Sequence, residues 1–166
     1  EVVASDPFEA TPIGAITTGP DLFQPERRNS IGFDLRDRPT LARIDEARLP
    51  FRTATWRAAP LCADGDGDGD GDGTPTGATS DVCNPAAPDD TVGQITWATA
   101  DTAVFAAQAA TPWHAAPQDR AAILNRAADL YEQNYGELFA LMHREAGKTM
   151  LDVVAELREA VDFLRY

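Results

Sequence analysis

The chain has 166 residues, with 14 Lys plus Arg against 27 Asp plus Glu and 43% hydrophobic residues, enough to bury one core and no more. A net charge of −13 and a pI near 4.4 exclude binding to nucleic acid or anionic lipid through a basic surface. No apolar stretch approaches the ~20 residues of a membrane span, and residues 1–26 lack the basic start and apolar core of a secretory signal, so the chain reads as soluble and cytoplasmic.

Residues 1–26 carry Pro7, Pro12, Pro20 and Pro25 with little apolar periodicity and read as an extended interdomain linker, because proline fixes φ and removes backbone donors. Residues 27–61 form a lead-in segment, in which Pro39 opens a short helix with Leu41, Ile44 and Leu49 on its apolar face. Residues 62–81 include five Asp-Gly dipeptides between Asp64 and Gly73. Glycine entropy and like-charge repulsion predict a flexible loop there. Beyond it, residues 82–84 and 91–97 have β composition and are separated by Pro85, Pro88 and Asp89-Asp90, which predicts a short hairpin.

The rest is helical by pattern. Asp101 is the expected N-cap of a helix that ends before Pro112. Pro117 and Asp119 suit the start of the next, whose Ile123, Leu124, Ala127, Leu130 and Tyr131 form a stripe expected to be buried. Leu138, Leu141 and Met142 continue after Gly136, and Gly147 is placed as a C-terminal stop. A final helix turns Val154, Leu157, Val161 and Leu164 inward, with Glu156, Arg158, Glu159, Asp162 and Arg165 mostly elsewhere. Nothing caps it at Tyr166, and the pattern stopping in mid-course reads as truncation.

Few residues offer chemistry by themselves. Asp66, Asp68, Asp70 and Gly71 imitate the start of a calcium loop, but position 12 counted from Asp64, Asp66, Asp68 or Asp70 falls on Pro75, Gly77, Thr79 or Asp81, none the closing glutamate. A solvated low-complexity insertion is the preferred reading. Cys62 and Cys83 flank acidic residues that disfavour a thiolate, and they suggest neither a metal site nor a disulfide framework. His114 and His143 are isolated. Gly147-Lys148-Thr149 lacks the earlier glycine of a phosphate loop, so Lys148, the sole lysine, is assigned to a helix junction.

Segment order carries more. An Asn-Pro strand, a Val-Gly hairpin strand, Trp113, an Arg-Ala-x-x-Leu helix, a Glu-x-Gly-Lys junction and a helix ending in Asp-Phe-x-Arg-Tyr together resemble the opening of an aldehyde dehydrogenase superfamily domain. Asn84, Pro85, Gly93, Trp113, Arg120, Leu124, Glu145, Gly147, Lys148, Glu156, Asp162, Phe163, Arg165 and Tyr166 stand at the matching positions. Residues 144–149 and 155–166, with the upstream segment 21–35 containing Arg28-Asn29-Ser30, resemble more narrowly the bifunctional proline utilization A family. There the stretch links a proline dehydrogenase barrel to a glutamate semialdehyde dehydrogenase domain.

The resemblance implies an α/β, Rossmann-type parent fold, with this fragment mostly α-helical: residues 82–166 supply the hairpin and helices that open the domain. It implies NAD-dependent oxidation of L-glutamate γ-semialdehyde, through a cysteine thiolate and a glutamate-activated water that family order places after this chain. NAD would belong to the parent dehydrogenase domain and FAD to the proline dehydrogenase half, outside these residues. The parent is expected to bind a small-molecule substrate and form a homo-oligomer, with peripheral membrane association allowed for the parent alone. Glu156 is the site residue the resemblance supplies, beside the aldehyde pocket and facing the substrate's ammonium group. Its alternative is an ordinary helix carboxylate paired with Arg158 or an exposed neighbour, and Glu159 and Asp162 are weaker candidates. Trp97 and Trp113 read as packing residues. The rival function is a noncatalytic acidic or calcium-responsive module, and as an isolated chain the fragment is expected to be inactive and partly ordered.

Overall fold

The computed structural model describes residues 17–61 and 76–166. Within the expected linker, residues 1–16 lie outside this description. Residues 19–21 form a single 3₁₀ turn started by Pro20, whose carbonyl accepts from Asn29 N at 2.8 Å. Helix α1, Arg38–Arg48, begins where Asp37 accepts from Thr40 N, with Pro39 in its first turn. Its Ile44 is buried as expected, whereas Leu49 is exposed.

The strands are longer than their composition predicts. Strand β1, Trp56–Ala58, was not foreseen; β2 runs Thr76–Asn84 and β3 runs Ala87–Ala98. The order is β1-β3-β2, with β1 parallel to β3 and β2 antiparallel to it. Residues 76–81, read from sequence as loop, are therefore strand. Pairing with β3 outweighs the local signal: Gln94 Nε2 donates to Asp81 Oδ1 at 2.9 Å and Trp97 Nε1 to Ser80 Oγ at 3.0 Å. The Asp-Gly tract, the imitated calcium ligands and Cys62 lie outside the described residues. Gly93 owes its position to β1, since a Cβ there would stand 2.2 Å from the Trp56 carbonyl oxygen.

Helix α2, Ala100–Ala109, is capped by Thr99 in a reciprocal capping box with Thr102. Asp101, the expected cap, sits instead inside the first turn, where its charge still favours the helix start. Helix α3, Pro117–Gln133, overturns its predicted orientation. Ile123 and Leu130 are 54% and 41% exposed, Leu124 and Tyr131 are also open, and only Ala128 is fully buried. Asp129 and Glu132, next to Ala128 around the helix, pair with Arg165. Those directional contacts turn the apolar stripe outward.

Helix α4, Tyr135–Ala146, ends at Gly147 in the left-handed conformation at φ 63°, the stop read from sequence. Gly136 lets it cross α1 closely, because a Cβ would lie 2.4 Å from the Ala47 carbonyl oxygen. Helix α5, Met150–Arg165, starts with a capping box between Thr149 and Asp152. Ile44, Ala128, Phe139, Val153, Val154, Leu157 and Val161 form the core, with Phe33 and Leu35 packed against it. The Phe33 ring meets Tyr135 at 5.1 Å and Phe139 at 5.3 Å between centroids.

Phe139→Ala is expected to cost about 3–5 kcal/mol, since it removes a fully buried ring that its neighbours cannot fill; chemical denaturation of the two proteins measures it. Gly93→Ala should detach β1 while leaving the β2–β3 hairpin, seen as loss of amide protection in residues 56–58 and at the β3 amides around residues 93–95 that face them.

Candidate functional site

The α4–α5 junction is fixed from both sides before any site residue is considered. Arg144, buried at the end of α4, makes a forked contact with Asp90, Nη2 to Oδ1 at 2.7 Å and Nε to Oδ2 at 3.2 Å. Its Nη1 donates to the Ala54 carbonyl at 2.5 Å, and its guanidinium lies over the Trp56 ring. One side chain thus ties β3, the chain before β1 and α4 together, as a planar five-donor group can. Arg144, with Asn84 also donating, holds the Asp90 carboxyl below the usual carboxylate range.

At the junction itself, His143 Nδ1 lies 2.7 Å from the Lys148 carbonyl oxygen, and Lys148 occupies the turn between helices assigned to it. The Lys148 ammonium pairs with the Glu156 carboxylate, which is 52% exposed. Of the ordinary partners expected for Glu156, Arg158 turns its Nε to Ser30 Oγ at 3.2 Å, and the pair is made with the neighbouring Lys148. Glu159, one turn further, is exposed, and its carboxylate has no hydrogen-bond or ion-pair partner among the described residues. Asp162 is committed elsewhere: its two oxygens accept from Ser30 N at 2.7 Å and Ser30 Oγ at 2.8 Å, with Arg27 Nη1 at 3.5 Å.

A second polar cluster stands where an outward-facing arginine was expected. The Arg165 side chain is 2% exposed and bridges Asp129 and Glu132, each at 2.8 Å. It also donates to the Asn29 carbonyl at 3.3 Å, while Glu132 Oε1 accepts from Ile31 N at 2.8 Å. Glu132 chiefly, and then Asp129, raise the Arg165 pKa despite burial. Arg165 faces inward because α3 and the segment 29–31 together supply the acceptors that replace its water. The Arg28-Asn29-Ser30 segment was the available sequence signal for this cluster. Its partners lie more than 100 residues away, beyond any local pattern.

Other singled-out residues remain dispersed. Cys83 is an exposed free thiol, and Trp97 and Trp113 are about half exposed, so they are less buried than packing residues should be. Arg120 lies over the Trp113 ring at 5.9 Å. His114 and Glu145 are exposed. No group of three metal-ligating side chains occurs among the described residues, and no described helix is long and apolar enough to cross a membrane. The described residues do not fit a dinucleotide: the sheet has no strand–glycine loop–helix unit, and the α5 start is filled by Thr149 and the acidic Asp152, which repels a pyrophosphate.

The chain belongs to the aldehyde dehydrogenase family, whose model matches residues 74–166. It is 39% identical over 151 residues to the bifunctional protein PutA of Escherichia coli (strain K12), covering 88% of this chain and 11% of that protein. Against 1-pyrroline-5-carboxylate dehydrogenase 2 of Bacillus subtilis (strain 168) it is 38% identical over 88 residues, 50% of this chain and 17% of that one. An arginine-to-alanine variant of Thermus thermophilus 1-pyrroline-5-carboxylate dehydrogenase superposes with a TM-score of 0.69 at 30% identity, covering 84% of this chain and 27% of the other. The chain therefore has an aldehyde dehydrogenase-like fold and spans about a tenth of the length of the PutA relative.

Arg165→Ala is expected to destabilise the protein by about 3–5 kcal/mol, because it strands the nearly buried Glu132 carboxylate without its counter-charge; urea denaturation measures the loss. For Asp90, whose pKa is lowered from 3.8, the unfolded chain takes up its proton first on acidification. Its contribution is thus present above 3.8 and is lost as pH falls through the lower native value. Asp90→Asn should flatten the acid limb of a melting-temperature profile in that window.

Proposed function

We propose that this chain is the opening part of an NAD-dependent L-glutamate γ-semialdehyde (Δ1-pyrroline-5-carboxylate) dehydrogenase domain, preceded by the connector of a bifunctional proline-catabolising enzyme. The single observation that supports it most is continuity. The similarity to PutA covers 88% of the chain, and the upstream segment is locked by Ser30 and Asn29 onto α5. In this reading residues 1–26 are interdomain linker, 27–61 lead into the dehydrogenase domain, the Asp/Gly-rich residues 62–75 are an insertion, and the remainder opens the domain. NAD binds to the parent domain and FAD to its proline dehydrogenase half; the parent is a cytoplasmic homo-oligomer.

Within this chain the contribution is to the substrate's amino-acid end. Glu156 and Glu159 share the exposed side of α5, and either carboxylate could meet an ammonium group. The structure favours Glu159 on one point: Glu156 already has its charge met by Lys148, whereas a carboxylate without a partner gives up no existing ion pair on binding. The rival acidic or calcium-responsive module draws on the Asp-Gly tract alone, and nothing among the described residues adds a ligand to it.

The complete polypeptide bearing this chain is expected to produce NADH when given Δ1-pyrroline-5-carboxylate, and the 166-residue chain alone to produce none. Glu159→Gln should raise KM for the semialdehyde about tenfold, the worth of one charge-assisted contact, with KM for NAD unchanged; Glu156→Gln should act less. No oxidation by the complete polypeptide, together with a rise in melting temperature at micromolar calcium, would favour the rival reading.

A further inference from the structure

We propose that residues 29–31 form a strap that sets the rotation of α5, with Ser30 and Asp162 as positioning residues for the carboxylates on its exposed side. The core contacts of α5 are Val153, Val154, Leu157 and Val161. Burying this stripe fixes which face of α5 is inward, but aliphatic contacts are non-directional and tolerate small rotations about the helix axis. Directional contacts with the upstream segment come from one further face. Arg158, Asp162 and Arg165 follow at i, i+4 and i+7, and all three reach the strap: Arg158 to Ser30 Oγ, Asp162 to Ser30 N and Oγ, Arg165 to the Asn29 carbonyl.

Ser30 is the centre of this arrangement. It is 2% exposed, and its backbone N–H and hydroxyl are taken by the two oxygens of a single carboxylate, a two-point contact that a rotated Asp162 could not make. The strap is anchored independently, since Phe33 and Leu35 pack against the core. Loss of the Ser30 contacts therefore loosens angular control in the middle of the helix, where Glu159 lies, while Arg165 still ties its C-terminal end to α3 and the segment stays in place. A turn of ~20° about the helix axis would carry a carboxylate ~6 Å from that axis by ~2 Å, beyond the tolerance of a substrate contact. Glu159 lies between Arg158 and Asp162 in sequence and inherits its aim from both.

The functional part of this inference rests on the semialdehyde dehydrogenase reading above, and the test separates the two. In the complete polypeptide, Ser30→Ala and Asp162→Asn are each expected to raise KM for Δ1-pyrroline-5-carboxylate about threefold to tenfold, with kcat and KM for NAD within about twofold of wild type. The effects of the double variant should be less than additive, because both single changes break the Ser30 Oγ–Asp162 Oδ2 contact. An unchanged semialdehyde KM accompanied only by a lower melting temperature would overturn the proposal and leave Ser30 a structural residue. Should the wild type not oxidise the semialdehyde, the dehydrogenase reading fails and the strap is judged by hydrogen exchange. Ser30→Ala must then speed exchange of α5 amides and spare those of α4; unchanged α5 exchange would overturn the strap as well.

Discussion

The burial of Arg165 between Asp129, Glu132 and the Asn29 carbonyl is the constraint from which most of the arrangement follows. A charge removed from water must be met on several sides, and here the acceptors come from two separate parts of the chain, α3 and the upstream segment. Meeting them fixes which side of α3 faces α5, brings the upstream segment across both helices, and leaves the apolar stripe of α3 on the outside. The same guanidinium therefore accounts for an unexpected burial and an unexpected exposure.

Arg144 does the corresponding work at the other end of the helical layer. Its contacts with Asp90, Ala54 and the Trp56 ring join the sheet to α4 just before Gly147 turns the chain into α5. Glycines complete the join by absence of bulk. Gly93 admits the Trp56 backbone and Gly136 admits that of Ala47, so β3 and β1, and α4 and α1, approach at distances no side chain would permit. The Lys148 turn is thereby held between two rigid elements, and the Lys148–Glu156 pair is presented on a defined surface.

Charge pairing also ranks the carboxylates of α5. Asp162 is spent on Ser30, Glu156 on Lys148, and Glu159 on nothing among the described residues. Helical spacing puts Glu156 and Glu159 one turn apart and treats them alike; their partners distinguish them. On the proposed function, Glu159 is the carboxylate that can meet an ammonium without giving up an ion pair among the described residues.

The sequence by itself determined the helices, because their signals are local: Pro39 and Pro117 at helix starts, Gly147 at a stop, and the spacing of Val154, Leu157 and Val161. It also carried the family, since segment order is a property of the chain alone. Strand β1 and residues 76–81 of β2 were not legible, as a strand acquires its hydrogen bonds from a distant partner and three residues have no period of their own. The Thr99 cap was missed for a smaller reason, as Asp101 offered an equally good local capping side chain two residues on. Which stripe of α3 is buried, the inward turn of Arg165, and the grip of Ser30 on Asp162 were decided only in the tertiary structure. Each depends on polar groups separated by more than 30 residues, and a charge's environment is set by what folds around it, not by its neighbours in sequence.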